Sequence, residues 1–174
     1  MKLEEKNLIV KRSYKEVYKC EEGIVKVFAK EHPKSDVLNE ALNTARVEEA
    51  GLDIPSVKEV TQIDGKWALV IEYKDGKTME EMMKVDPTNL EKYMNDFVDL
   101  QLSVTSKKAP LLNKMKDKFA RQINGLKSWM RRQDMTDDTT GSMPKHDKIC
   151  HGDFNPSNVI VGKNGKMTVI DWLM

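Results

Sequence analysis

Little in this chain points to one compartment or one class of macromolecular partner. Lysine and arginine number 29 against 28 aspartates and glutamates, a formal charge of +1. Charges so balanced create no one-signed field toward nucleic acid or an acidic membrane surface, so neither is expected as a partner. Long apolar runs are missing. One of the longest, Trp67-Ala68-Leu69-Val70-Ile71, is far shorter than the ~20 residues that cross a bilayer. The start, Met1-Lys2-Leu3-Glu4-Glu5-Lys6, has no apolar stretch and does not read as a secretory signal. Cysteine is scarce: Cys20 and Cys150 lie far apart, and the expected state is two reduced, partly buried thiols in a cytoplasmic protein. There is no internal repeat, no long low-complexity tract and no G-x-G-x-x-G.

What is present suffices for one domain or two small lobes. Of the 174 residues, 39% are hydrophobic, which allows a real core. The N-terminal third is rich in short β-type runs, over residues 7–12, 14–20 and 23–29, with Glu21-Glu22-Gly23 as a tight turn. Residues 35–51 then take helical spacing through Val37, Leu38, Ala41, Leu42 and Ala45, with Ser35 or Asp36 suited to cap the start and Gly51 the end. Two more strands, 57–63 and 67–73, flank Asp64-Gly65, a strong hairpin signal. Past a boundary near Asp75-Gly76 the character becomes helical. Thr78-Met79-Glu80-Glu81 is a capping box, and Asp86-Pro87 opens a longer helix with Pro87 at its first position. Leu90, Tyr93, Met94, Phe97, Gln101 and Val104 form its apolar stripe. Another helix is expected over 112–132 and a polar loop over 133–147. Residues 158–161 and 167–171 close the chain as a hairpin around Asn164-Gly165.

The chemistry concentrates before and after that last hairpin. His151-Gly152-Asp153-Phe154-Asn155-Pro156-Ser157-Asn158 is followed thirteen residues later by Asp171-Trp172. An Asp, an Asn five residues on and a second Asp on the next strand make a phosphoryl-transfer centre. Asp153 would accept the proton of an attacking hydroxyl. Asn158 and Asp171 are hard oxygen ligands suited to Mg²⁺. His151 would prop the loop. Five fixed letters at fixed spacing match by chance in roughly one window in three million, so chance is a poor explanation in so short a chain.

Phosphoryl transfer also needs a cation for the phosphates. Lys26 lies within the apolar strand Gly23-Ile24-Val25-Lys26-Val27-Phe28, where an inward ammonium is costly unless paired. Glu40 on the following helix is the expected partner, with Glu48 and Glu49 as alternatives late in that helix. The run Leu69-Val70-Ile71-Glu72-Tyr73 leads out of the sheet, where Glu72 and Tyr73 would offer backbone hydrogen bonds to a nucleotide base. Ser13-Tyr14-Lys15 occupies the place of a phosphate-covering loop without glycines.

These residues resemble the aminoglycoside phosphotransferase and choline kinase-like family. The carriers are His151-Gly152-Asp153, Asn158 and Ile170-Asp171-Trp172, with Val25-Lys26-Val27-Phe28 and Glu40 upstream. The resemblance implies an α+β, protein-kinase-like fold: an N-terminal antiparallel sheet lobe with one helix over 1–75, and a partial helical C-terminal lobe over 76–174. It also implies transfer from ATP or GTP, with Mg²⁺, to a hydroxyl of a small molecule such as an aminoglycoside, an amino alcohol or a sugar. Gly152, Trp172 and Asn155 lean away from protein kinases, which usually carry Lys at the last of these positions. Family members continue through several helices past the metal Asp, whereas this sequence stops at Met174. The expectation is therefore an incomplete helical lobe whose exposed apolar faces favour self-association, low stability and little turnover. A second reading is an inactive kinase-like remnant that serves as a nucleotide-binding or interaction module.

Overall fold

Period-two alternation in the N-terminal third builds an antiparallel sheet. The computed structural model describes residues 3–112 and 147–172. Its first sheet contains β1 (Leu8–Lys11), β2 (Lys15–Cys20), β3 (Gly23–Phe28), β4 (Val57–Ile63) and β5 (Lys66–Ile71), ordered β1-β2-β3-β5-β4. Every neighbouring pair is antiparallel. Asp64 and Gly65 take φ of 50° and 73°, the left-handed pair that a tight hairpin between β4 and β5 requires. Between β3 and β4 runs α1 (Lys34–Glu49).

The central strand β3 divides its side chains between two layers. Ile24 and Phe28 pack with Leu69 and Ile71 against Val37 and Ala41 of α1. Val25 and Val27 face the other way, with Ala68, Val70 and the half-buried Tyr18. Lys26 shares the α1 side with Ile24 and Phe28 by strand alternation. α1 begins at Lys34 behind Pro33, not at a Ser35 or Asp36 cap; Asp36 instead places negative charge in the first turn, where the helix dipole favours it. Gly51, at φ 81°, follows the helix end as expected.

The second part has a small sheet of β6 (Lys77–Thr78), β7 (Val159–Val161) and β8 (Met167–Val169), in that order. Two residues are too few to show periodicity, so β6 has no sequence signature. Gly76 lets it approach: a Cβ there would collide with the Val161 carbonyl oxygen. The capping box of α2 (Met79–Val85) is formed, with Thr78 Oγ1 accepting from the Glu81 N–H at 3.1 Å and Glu81 Oε2 from the Thr78 N–H at 2.8 Å. α3 (Leu90–Ser106) starts later than expected. Pro87–Asn89 form a 3₁₀ turn instead, and the Asp86 carboxylate binds the side chains of Thr88, Asn89 and Tyr93.

The expected apolar stripe of α3 divides in two. Val104 is buried and Phe97 packs against Phe154, the rings tilted by 34° with centroids 4.7 Å apart, whereas Leu90 and Met94 are exposed together with Val98 and Leu102. The second core joins Val47 of α1 to Val104, Ile149, Val169 and Trp172. The helix expected over 112–132 and the loop expected over 133–147 lie almost wholly outside the described residues. Cys20 and Cys150 are free thiols, each half-buried. Among the described residues, no helix is long and apolar enough to cross a membrane.

Candidate active site

The loop that follows the buried Ile149 is organised by His151. Its Nδ1 lies 3.3 Å from the Asp153 N–H, which can only donate, so Nδ1 accepts. The ring proton is therefore on Nε2, which donates to the Ile170 carbonyl at 2.9 Å. Trp172 and Phe154 meet the imidazole edge-on, at centroid distances of 4.5 and 5.9 Å. Burial holds the His151 pKa below its ordinary value, against the opposing pull of the Ile170 carbonyl and the nearby Asp153 and Asp171 carboxylates. His151 thus props the loop, as its place in the sequence suggests. Gly152 adopts φ 80°, a left-handed turn that any Cβ would strain.

That turn presents Asp153 at the surface with both carboxylate oxygens engaged. Oδ1 accepts from Asn155 Nδ2 at 3.1 Å and Oδ2 from Asn158 Nδ2 at 3.2 Å. Asn155 also caps the 3₁₀ turn Pro156–Asn158, its Oδ1 accepting from the Ser157 N–H at 3.0 Å. The Asn158 carbonyl then accepts from the Ile170 N–H at 2.9 Å, tying the loop to the segment after β8.

Asp171 is not on a strand, contrary to the reading of residues 167–171. β8 ends at Val169, and Asp171 has φ 65°, a conformation that costs a non-glycine residue roughly 1–2 kcal/mol, less for Asp than for most. The turn aims its carboxylate at the first sheet. Asp171 Oδ1 is 2.7 Å from Lys26 Nζ and 3.0 Å from Lys15 Nζ, with Oδ2 3.3 Å from the latter. Lys26 Nζ is also 2.6 Å from Glu40 Oε1, so the ion pair expected between these two is formed, and Glu48 and Glu49 are not the partners. Residues 15, 26, 40 and 171 thus meet in one cluster of charges.

A family model described as "Phosphotransferase enzyme family" matches residues 13–174, a span that includes all of these side chains. The chain belongs to the phosphotransferase enzyme family. No curated protein matches it. Family membership accords with the expected α+β, protein-kinase-like fold: an antiparallel sheet carrying one long helix, then a part that among the described residues holds α2, α3 and the hairpin of the motif.

In this member of the family, the charges around Asp171 reinforce one another. Burial alone would raise the Asp171 carboxyl. The ammonium groups of Lys26 and then Lys15 outweigh it and bring the pKa down to about 2. Burial alone would lower the Lys26 ammonium, but Glu40 and Asp171 outweigh it and raise its pKa above the ordinary value. Lys26 and Asp171 are therefore both ionised at neutral pH. Among the described residues no three His, Cys, Asp or Glu side chains converge on a metal position. Asp171 with the Asn158 amide oxygen fits the opposite situation, in which Mg²⁺ takes one or two protein oxygens and completes its shell with phosphates and water.

Lys15 has no sequence motif to mark it. Its signal lies in strand register: Lys15 stands opposite Phe28 and Val17 opposite Lys26, so Lys15 and Lys26 share one face of the sheet. Glu72 and Tyr73 lie apart from the charge cluster, just past β5. The Glu72 N–H donates to the Ser56 carbonyl at 2.9 Å. Its carboxylate accepts from the Ser56 N–H and hydroxyl, each at 3.3 Å, and pairs with Lys74 at 2.9 Å. Burial would raise this carboxyl, but the Lys74 and Ser56 contacts leave it lowered. Tyr73 lies with its ring 3.8 Å from Lys19 Nζ, and its hydroxyl donates to Asp75 at 3.3 Å. The Glu72 N–H is thus engaged within the chain.

Proposed function

We propose that this protein transfers the terminal phosphoryl group of ATP or GTP to a hydroxyl of a small molecule, with Mg²⁺ as the required ion. The observation that carries this reading is the meeting of Lys26, Glu40 and Asp171 in one cluster, with Asp171 bound through Ile170 to the loop of Asp153 and Asn158. A fold needing only stability would have little reason to bury so many charges together, since a buried ion pair rarely outperforms apolar packing.

The residues divide the work by their chemistry. Lys26, held by Glu40, offers one ammonium to the nucleotide phosphates. Asp171 and the Asn158 amide oxygen hold the ion, which when bound would neutralise charge on the phosphates. Asp153, oriented by two amide N–H donors, aligns the acceptor hydroxyl and takes its proton. The Glu72 carbonyl and the Tyr73 backbone receive the base. The preference for a small acceptor rests on Gly152, Asn155 and Trp172. Asn155 spends its side chain on closing the loop, and Trp172 packs beneath His151.

Calorimetric titration with ATP and with GTP, each with and without Mg²⁺, tests the nucleotide part. We expect heat of binding that strengthens with the ion. A folded sample giving no metal-dependent heat would rule the reading out. Phosphate release or transfer measured against a panel of aminoglycosides, amino alcohols and sugars tests the acceptor class. Binding without transfer to any of them would favour a nucleotide-binding module instead.

A further inference from the structure

We propose that Lys15 is a second phosphate-binding cation of this site, which exchanges Asp171 for the nucleotide phosphates when a divalent ion takes Asp171. The proposal rests on the nucleotide reading above and deepens it. Lys15 is 5% exposed, and Asp171 is the one anion its ammonium touches among the described residues. A lysine so buried needs an anion in every state of the protein, because an unpaired buried charge is expensive.

The charges show why Asp171 cannot serve Lys15 in both states. Lys15 and Lys26 contribute two positive charges, Glu40 and Asp171 two negative, so the cluster is neutral. A divalent ion on Asp171 would add two positive charges beside two ammonium groups. Lys26 keeps Glu40 as a partner at 2.6 Å. Among the described residues Lys15 has no such second carboxylate, and it must turn to the other anion in the cleft, the phosphate chain.

The backbone around Lys15 is built to hold its stem in place during that exchange. The Arg12 N–H donates to the Lys15 carbonyl at 2.9 Å and the Ala29 N–H to the Tyr14 carbonyl at 2.8 Å, which pins the β1–β2 turn to the end of β3. Tyr14 stacks on His32 at 6.0 Å and His32 on Phe28 at 4.9 Å, securing the turn from its outer side. Ser13 and Tyr14 alone close the turn, which is too short to wrap phosphates in backbone N–H groups as a glycine-rich loop does. A lysine ammonium supplies the same attraction as a point charge.

The test compares wild type, Lys15→Met, Lys15→Arg, Asp171→Asn and the Lys15→Met/Asp171→Asn double variant in the full chain, by calorimetry with ATP, ADP and adenosine in Mg²⁺. Thermal melts accompany each, and Lys15→Gln replaces Lys15→Met if the latter does not fold. Losing one charge-assisted phosphate contact should weaken ATP and ADP binding by about tenfold to a hundredfold. Adenosine binding should be unchanged, and Lys15→Arg should retain most of the affinity. The same loss should appear when Lys15→Met is made on Asp171→Asn. Unaltered ATP affinity in Lys15→Met would overturn the proposal while leaving the nucleotide reading intact. So would a loss that vanishes on Asp171→Asn, since Lys15 would then act only as counter-ion to Asp171. A folded wild type that binds no nucleotide would overturn both.

Discussion

The Lys26 ammonium lies 2.6 Å from the Glu40 carboxylate, and the two side chains are only 9% and 3% exposed. Removing Lys26 strands Glu40, whereas removing Glu40 still leaves Lys26 its contact with Asp171. Lys26→Met leaves Glu40 buried without its cation, and we expect a loss of about 3–5 kcal/mol in urea unfolding. The Lys26→Met/Glu40→Leu double variant should recover most of that, because apolar groups of similar size can replace a buried pair at little cost. A single variant as stable as the double would show that the pair is not coupled.

The Asp153 carboxylate is held by Asn155 and Asn158. Asp153→Asn keeps the shape of the side chain and removes its basicity. On an accepted substrate we expect turnover to fall by about 10²–10⁴, the usual worth of a positioned acid or base, while nucleotide affinity barely changes. Equal losses in both would mark Asp153 as a structural residue.

His151 should make the loop sensitive to mild acid. Burial holds its pKa below the ordinary 6.5, so around that pH the unfolded chain binds more protons than the folded one. The stabilising contribution is present above 6.5 and is lost as pH falls through the lower folded value. Protonation would also take Nδ1 away from the Asp153 N–H. Melting temperature should therefore decline from about pH 7 to pH 5, and His151→Gln should flatten that part of the decline. Identical slopes for the two proteins would remove His151 as the cause.

Gly152, at φ 80°, is where a methyl group should matter without any change in charge. Gly152→Ala should cost about 1–2 kcal/mol from the left-handed conformation alone. It should also shift Asp153 and lower turnover further than the stability loss explains. Chemical unfolding and kinetics on one preparation separate the two effects.

Much of this site was legible in the sequence because its parts sit at fixed chain separations. Asp153, Asn158 and Asp171 are joined by a hairpin too short to vary, and Lys26 stands out as a charge in an apolar strand. Glu40 followed from Lys26, since a buried ammonium on that face needs a carboxylate on the helix covering it. Lys15 was legible only as part of the Ser13-Tyr14-Lys15 turn in the place of a phosphate-covering loop, and only the pairing of β2 with β3 reveals that it shares the face of Lys26. The end of β8 differs from the reading for a related reason: β-branched Val169 and Ile170 extend the strand-type run, but the left-handed backbone at Asp171 has no sequence marker. The split stripe of α3 arises from tertiary packing, since Phe154 draws Phe97 inward while nothing in periodicity says which half of an apolar face is covered.

Ile170 is held at both of its peptide groups by the loop before the hairpin, its carbonyl by His151 and its N–H by Asn158. The two halves of the motif are thereby clasped through one residue, and a displacement of either carries the other with it. The separation of Asp153 from Asp171 behaves as a fixed length, like the span of a calliper locked at its joint. The contacts left adjustable are those from Asp171 to Lys15 and Lys26 on the sheet. Any opening of the cleft is taken up in that gap of opposite charges, and because buried pairs are little screened by salt, it is a competing ion at Asp171 rather than ionic strength that would widen it.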